Sequence, residues 1–187
     1  GYLHANNCHP LCMISVARQG FRTGRPARMM GERRIAMYQL PFDREDDPRW
    51  RLLEVARERL AGARSQEEII GIVRSCARGV VSADGVTFVL REQDKCHYVE
   101  EDAISPLWKG QKFPMTSCIS GWAMMHGRTA VIADVFADPR IPHDVYRKTF
   151  VKSLVMAPVG LSTPVAAIGA YWQDKPIISE REVAAVQ

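Results

Sequence analysis

With 187 residues, 47% hydrophobic and 25% charged, the chain suffices for one folded domain with a real core and little besides. No apolar run approaches the roughly 20 residues that cross a bilayer, since "SLVMAPVGL" and "VAAIGAYW" are short and split by turn residues, which excludes a membrane helix from this sequence. The formal charge of +4 belongs to the first forty residues, where Arg18, Arg22, Arg25, Arg28, Arg33 and Arg34 face Glu32 alone. That stretch has no lysine and no interleaved aromatics, so it reads as a solvated tail and not as a nucleic-acid or lipid-binding arm.

Residues 1–45 hold neither helical nor strand period and are expected to be a poorly ordered basic leader, with the folded domain spanning 46–187. From Arg49, Leu53, Ala56, Leu60 and Ala63 recur at three and four, a narrow stripe suited to pairing one helix with another. Ser65 with Glu68 has the spacing of a capping box and opens a second helix whose apolar face is Ile69, Ile72, Val73, Cys76 and Val80. Asp84-Gly85 turns into "VTFVL", a strand with Val86, Phe88 and Leu90 on one face and Thr87 and Val89 on the other. "CHYVEE" is a second strand, and the loop through Pro106, Trp108, Gly110 and Pro114 reads as irregular.

Thr116 or Ser117 is expected to cap a short helix over 118–126, stopped by Gly127. "TAVIAD" is the next strand, "HDVYRKTF" another short helix, and "SLVMAPVGL" and "PVAAIGAYW" a strand pair turning at Ser162-Thr163-Pro164. "SEREVAAVQ" is helical, and both ends of the chain look cut from something longer. Helices, strands, short helices and strands in this order predict an α+β domain with a mostly antiparallel sheet, and leave the strand order open.

The run "GWAMMHGRTAVIADVFADPRI", followed by "SLVMAPV" and "AAIGAYW", resembles the central signature of a GAF domain. Its parts are a Gly-x-Ala helix start (Gly121, Ala123), a Gly-Arg stop (Gly127, Arg128), a strand ending in Asp134, an Asp-Pro-Arg turn (Asp138, Pro139, Arg140) and a strand ending in Pro158-Val159. The wording "KCHYVEEDAISPLWKGQKFPMTSCISGWAM" is closer to the sensory GAF domains of bacterial two-component histidine kinases of the HWE type. The resemblance covers about Arg49 to the end. It implies a PAS-related sandwich with a six-stranded antiparallel sheet, terminal helices on one face, and short helices covering a ligand cup on the other. It also implies a homodimer through the terminal helices, which the Leu53 and Leu60 stripe permits, and an attached output domain.

The chemistries that GAF-like folds host find few matching residues. Bilin attachment needs a cysteine in the helix after the Asp-rich turn, where the sequence reads "RIPHDVY"; the Cys96-His97 pair falls on a strand elsewhere. Free-methionine sulfoxide reductases need thiols at positions that align loosely with Gly110 and His143. The Asn-Lys-Phe-Asp-Glu set of cyclic-nucleotide-binding members, a phosphate-cradling glycine loop and a Ser-His-Asp ordering are all missing. His4, Cys8, His9 and Cys12 cluster without zinc-site spacing, so no metal is expected.

The odd cysteine count of five, with no disulfide-framework spacing, fits a reducing cytoplasm. The expected ligand-binding residues are Cys118, Trp122, Asp134, Tyr146 and Phe150, with no catalytic residue and no identified cofactor. Trp122, Tyr146 and Phe150 would form an aromatic lid, the last two sharing a face at i, i+4, although Phe150 suits the core equally well. Asp134 and Arg140 would meet a polar ligand or pair with each other, and pairing is the preferred role for Arg140. Cys118, at a helix start, is a small packing residue or a thiol of lowered pKa. The expectation is thus a non-catalytic sensory module that binds a small effector. The alternatives are a thiol-based redox or chromophore-type sensor on Cys118 or Cys96, and a ligandless dimerisation module.

Overall fold

A computed structural model describes residues 47–160 and 162–187. The expected leader, with its histidine–cysteine cluster, lies outside the described residues. Helix α1 (Pro48–Gly62) begins with Asp47 accepting the Arg49 N–H, and α2 (Gln66–Val81) begins with Ser65 accepting the Glu68 N–H at 3.1 Å. The capping box expected there is only half formed, because the Glu68 carboxylate reaches past Ser65 to the Arg64 N–H. A complete box instead opens the last helix, α5 (Glu180–Val186), where Ser179 and Glu182 cap each other's backbone.

Strands β1 (Gly85–Glu92), β2 (Lys95–Ala103), β3 (Lys112–Pro114), β4 (Ala130–Ile132), β5 (Ser153–Val159) and β6 (Ala166–Trp172) form one sheet in the order β3-β2-β1-β6-β5-β4. Every neighbouring pair is antiparallel, as expected. Strand β3 falls in the stretch read as an irregular loop; its three residues, ending in proline, are too few to show a period.

The central strands are covered on both faces, so their period of two divides them between two cores. Val86, Val155, Ala157, Ala170 and Trp172 pack with Val80, Val81 and Val186 beneath the terminal helices, and Phe88 with Val73 continues that layer. Val89, Cys96, Tyr98, Leu154, Met156, Ala167 and Tyr171 point the other way, beneath α3 (Ile119–His126) and α4 (His143–Tyr146). The two faces expected for β1 are therefore the two cores.

The register of β1 against β2 shifts between Phe88 and Val89, the mark of a β-bulge. Val99 and Glu100 consequently both serve the helical side, Val99 in its apolar layer and Glu100 beside Arg74 of α2. Glu101 then turns to the opposite side. In α1, Ala56 is buried and Leu53 packs into the helical core, so the stripe read as a dimer seam is largely used within the chain; Leu52, Val55 and Leu60 stay exposed. Helix α3 starts later than expected, after a 3-10 turn over Met115–Ser117, with Cys118 itself at the N-cap and making no capping bond. Gly127 ends it at φ 58°.

Gly121 marks the tightest approach on this side, since a Cβ there would come 1.9 Å from the Met115 carbonyl oxygen. Gly121→Ala is expected to cost at least about 3 kcal/mol, the upper end of overpacking penalties. Gly71 in α2 meets nothing within 4 Å, and Gly71→Ala should stabilise by about 0.4–1 kcal/mol. Urea unfolding midpoints of the two variants check both signs.

Candidate functional site

On the short-helix side the organising group is the Glu101 carboxylate. It accepts the backbone N–H groups of Leu107 at 3.1 Å, Trp108 at 2.9 Å and Lys109 at 2.9 Å, pinning the loop after β2. The Trp108 indole is thereby set into the core, 4.8 Å from the Tyr146 ring and 5.6 Å from the rings of Tyr98 and Tyr171. The Tyr171 and Thr87 hydroxyls hydrogen-bond at 2.8 Å, and those of Tyr98 and Ser120 at 3.1 Å. Gly169 leaves the slot in which Tyr171 lies, for a Cβ there would meet the Tyr171 hydroxyl at 2.3 Å. Burial pushes the phenols of Tyr98, Tyr146 and Tyr171 above their ordinary range.

Of the five expected site residues, two lie within this cluster: Tyr146 is buried against Trp108, and Cys118 is buried at the start of α3. Trp122 and Phe150 are half-buried at its edge. Trp122 stacks on His126 at 4.7 Å, with the Arg140 guanidinium 4.4 Å from its ring centroid, and His126 donates through Nδ1 to the Trp122 carbonyl at 2.8 Å.

The i, i+4 relation of Tyr146 and Phe150 is not helical. Helix α4 stops at Tyr146, whose carbonyl accepts the Thr149 hydroxyl, and Phe150 instead lies against Gly85. Asp134 is exposed and accepts the Phe136 N–H at 2.8 Å. Arg140 does not pair with it: two bonds of 2.9 and 2.6 Å tie the guanidinium to Asp138, only two residues away. Each partner holds the other charged, Asp138 below the usual carboxylate range and Arg140 above its own.

Five further residues, Cys96, Tyr98, Trp108, Ser120 and Tyr171, complete the cluster without having been expected there. The alternation in "KCHYVEE" places Cys96 and Tyr98 on one face, which was a usable signal; nothing local points Trp108 inward. Cys96 and Cys118 are buried in the same core, and the Cys118 sulfur lies 3.2 Å from the Ser120 hydroxyl and 3.5 Å from the Pro114 carbonyl. The hydrogen bond from Cys96 lowers the Cys118 pKa to about 6 against the opposing effect of burial, helped by Ser120 and by the N–H groups of Gly121 and Ser120. Cys96 is correspondingly pushed up.

The opposite face holds an apolar cavity of about 90 Å³, lined by Leu53, Ala56, Val73, Val80, Ile168 and Val186. Among the described residues no group of three or more His, Cys, Asp or Glu is placed to hold a metal, and no helix is long and apolar enough to cross a membrane.

No protein-family model matches the chain, and no curated protein matches its sequence. Solved structures do. The GAF domain of an Acinetobacter phosphoenolpyruvate-protein phosphotransferase superposes with a TM-score of 0.62 at 10% identity, over 74% of this chain and 85% of that one. The free methionine-R-sulfoxide reductase of Neisseria meningitidis, solved with its substrate, gives 0.62 at 16% identity over 72% and 78%. A phycocyanobilin-bound GAF domain from a cyanobacterial phytochrome gives 0.59 at 18% identity over 73% and 87%. Likeness at these identities is one of fold, and the fold is that of GAF domains.

The state of the Cys118 thiol can be read directly. Its alkylation by iodoacetamide, followed by peptide mass mapping, is expected to rise with pH through a midpoint near 6 and then level off, because only the thiolate reacts. Burial sets the absolute rate but leaves the midpoint in place, and Cys96→Ala, which removes the donor, should move that midpoint upward.

Proposed function

We propose that residues 46–187 form a cytoplasmic sensory GAF module without catalysis of its own, which takes a small-molecule effector under the short helices and biases an attached histidine kinase or similar output domain. The observation that carries this reading is the course of β6. Tyr171 faces the aromatic cluster, while the next residue, Trp172, faces the terminal helices and donates its indole N–H to the Ser82 carbonyl at the end of α2 at 3.0 Å.

Asp84 ties the same corner together. Its N–H donates to the Tyr171 carbonyl at 2.9 Å, its carboxylate accepts the Gln173 N–H at 2.8 Å, and its carbonyl accepts the Ile104 N–H at the root of the Trp108 loop at 2.9 Å. A displacement of the Trp108 ring thus reaches the output face through one ring contact, with Tyr171, and one peptide bond, to Trp172.

In this reading the effector displaces Tyr146 from Trp108, a change that the four-residue helix α4 accommodates. Trp122 and Phe150 flank the ligand, Cys118 closes the inner end and Asp134 meets a polar group at the rim. Exposed Leu52, Val55 and Leu60 of α1 supply the contact with a second copy. The effector shifts the balance only by the difference in its affinity for the two arrangements.

The test is a thermal-shift screen of the full chain against nucleotides, amino acids, tetrapyrroles and small organic acids, with light scattering for mass. One class, at a hundred times its Kd, should stabilise by about 2.7 kcal/mol, which is several degrees in Tm for a chain of this size. Trp122→Ala should abolish the shift, and Val55→Glu should keep it while dissociating the dimer. A dimer that no class shifts is a ligandless dimerisation module, and turnover of any of the screened compounds shows an enzyme; either result overturns the proposal.

A further inference from the structure

Two thiols and a serine hydroxyl meet at a point where the core is otherwise apolar and aromatic. Cys96, on β2, is fully buried, Cys118 is 7% exposed, and Ser120 is fully buried between them and Tyr98. The chain's path brings the cysteines together. The β2–β3 hairpin pairs Cys96 with Phe113 and Lys95 with Pro114, and the Pro114 carbonyl in turn lies against the Cys118 sulfur. Cysteines that merely fill space need no polar companion, and burying a hydroxyl among hydrocarbon is unfavourable unless it is hydrogen-bonded. Here the hydroxyl is hydrogen-bonded to the Cys118 thiol and to Tyr98.

We propose that Cys96 and Cys118 form a redox-active dithiol that a hydroperoxide converts to a disulfide, resetting the position of α3. The Cys118 thiolate attacks the peroxide; the O–O bond breaks, the sulfur becomes a sulfenic acid, and the departing hydroxide takes a proton to become water. The Cys96 sulfur then attacks the sulfenyl sulfur. An S–S bond forms, the S–O bond breaks, and the second hydroxide leaves with the Cys96 proton as water. Two thiols and one hydrogen peroxide give one disulfide and two waters, and a dithiol reductant reverses the change.

The surroundings favour the first half. The depressed Cys118 pKa keeps a thiolate present at neutral pH, and Thr116 and Ser117 next to it are exposed, so solvent lies one residue away. Disulfide closure requires the sulfurs to come within about 2.05 Å, nearer than any non-bonded contact, and so draws the start of α3 toward β2. Helix α3 packs on β2, β5 and β6 and carries Ser120 and Trp122, so the pull is felt across the cluster. The inference does not depend on an effector. Cys76, half-buried on α2 on the far side of the sheet, is an internal control.

The experiment treats the reduced full chain with hydrogen peroxide, blocks residual thiols and maps peptides without reduction. The expected product is an intramolecular Cys96–Cys118 crosslink, with Cys118 alkylation falling at least about tenfold and returning after dithiothreitol. Cys96→Ser should leave a Cys118 sulfenic acid that dimedone captures, Cys118→Ser should abolish the crosslink, and Cys76→Ser should leave it unchanged. The wild-type map needs no variant to fold. A map in which Cys96 and Cys118 stay alkylatable after peroxide, or in which either pairs with another cysteine or another chain instead, overturns the proposal, as does a Cys96→Ser chain that yields no dimedone adduct.

Discussion

Tyr171 and Trp172 are consecutive, and backbone pleating sends one into each core. The same division runs along β1 and β5, so no central strand has a solvent face on which an error of pairing would be tolerated. A slip of one residue would carry Tyr171 under the helices and Trp172 among the aromatics. It would also undo the Tyr171–Thr87 hydroxyl bond and the indole bond to Ser82. The sheet is therefore a partition whose two sides are bound to a single register.

One departure from that register shapes the site. Without the bulge at Phe88 and Val89, Glu101 would fall among α2 and its arginines. With it, Glu100 and Asp102 pair with Arg74 and Arg78 of α2, while Glu101 is released to hold the loop that delivers Trp108. The pairs on the helical side are partly solvated and contribute little each. Three backbone donors converging on one carboxylate form a stronger restraint, because the acceptor is charged. The aromatic cluster owes its geometry to an extra residue in β2 more than to any of its own ring contacts.

Most of the fold was legible because it rests on local signals. Ser65 announces a helix start, Gly127 a helix end, and alternation through 86–90 the two faces of β1. What escaped depended on neighbours distant in the chain. Strand order is invisible to periodicity, and "KFP" gives three residues no pattern. Arg140 took Asp138 over Asp134 because the nearer carboxylate can be reached within one turn. Of the aromatics expected to form a lid, Tyr146 is buried against Trp108, and Phe150 lost its helical relation where α4 ends. That Cys96 faces inward could be read from Tyr98 two residues on. That it meets Cys118 could not, since the contact follows from the hairpin and the 3-10 turn lying between them.

The central pairing of β1 with β6 joins Gly85 to Tyr171 across nearly half the sequence. The hairpins on either side, β1 with β2 and β5 with β6, close only short loops and can assemble early. The seam between them must wait for a long loop to close, which is slow on entropic grounds. Until it does, the inner edges of both hairpins present unpaired backbone to any passing strand. During synthesis β1 emerges well before β6, so the nascent chain carries an unpaired apolar edge through that interval and has a natural claim on chaperones.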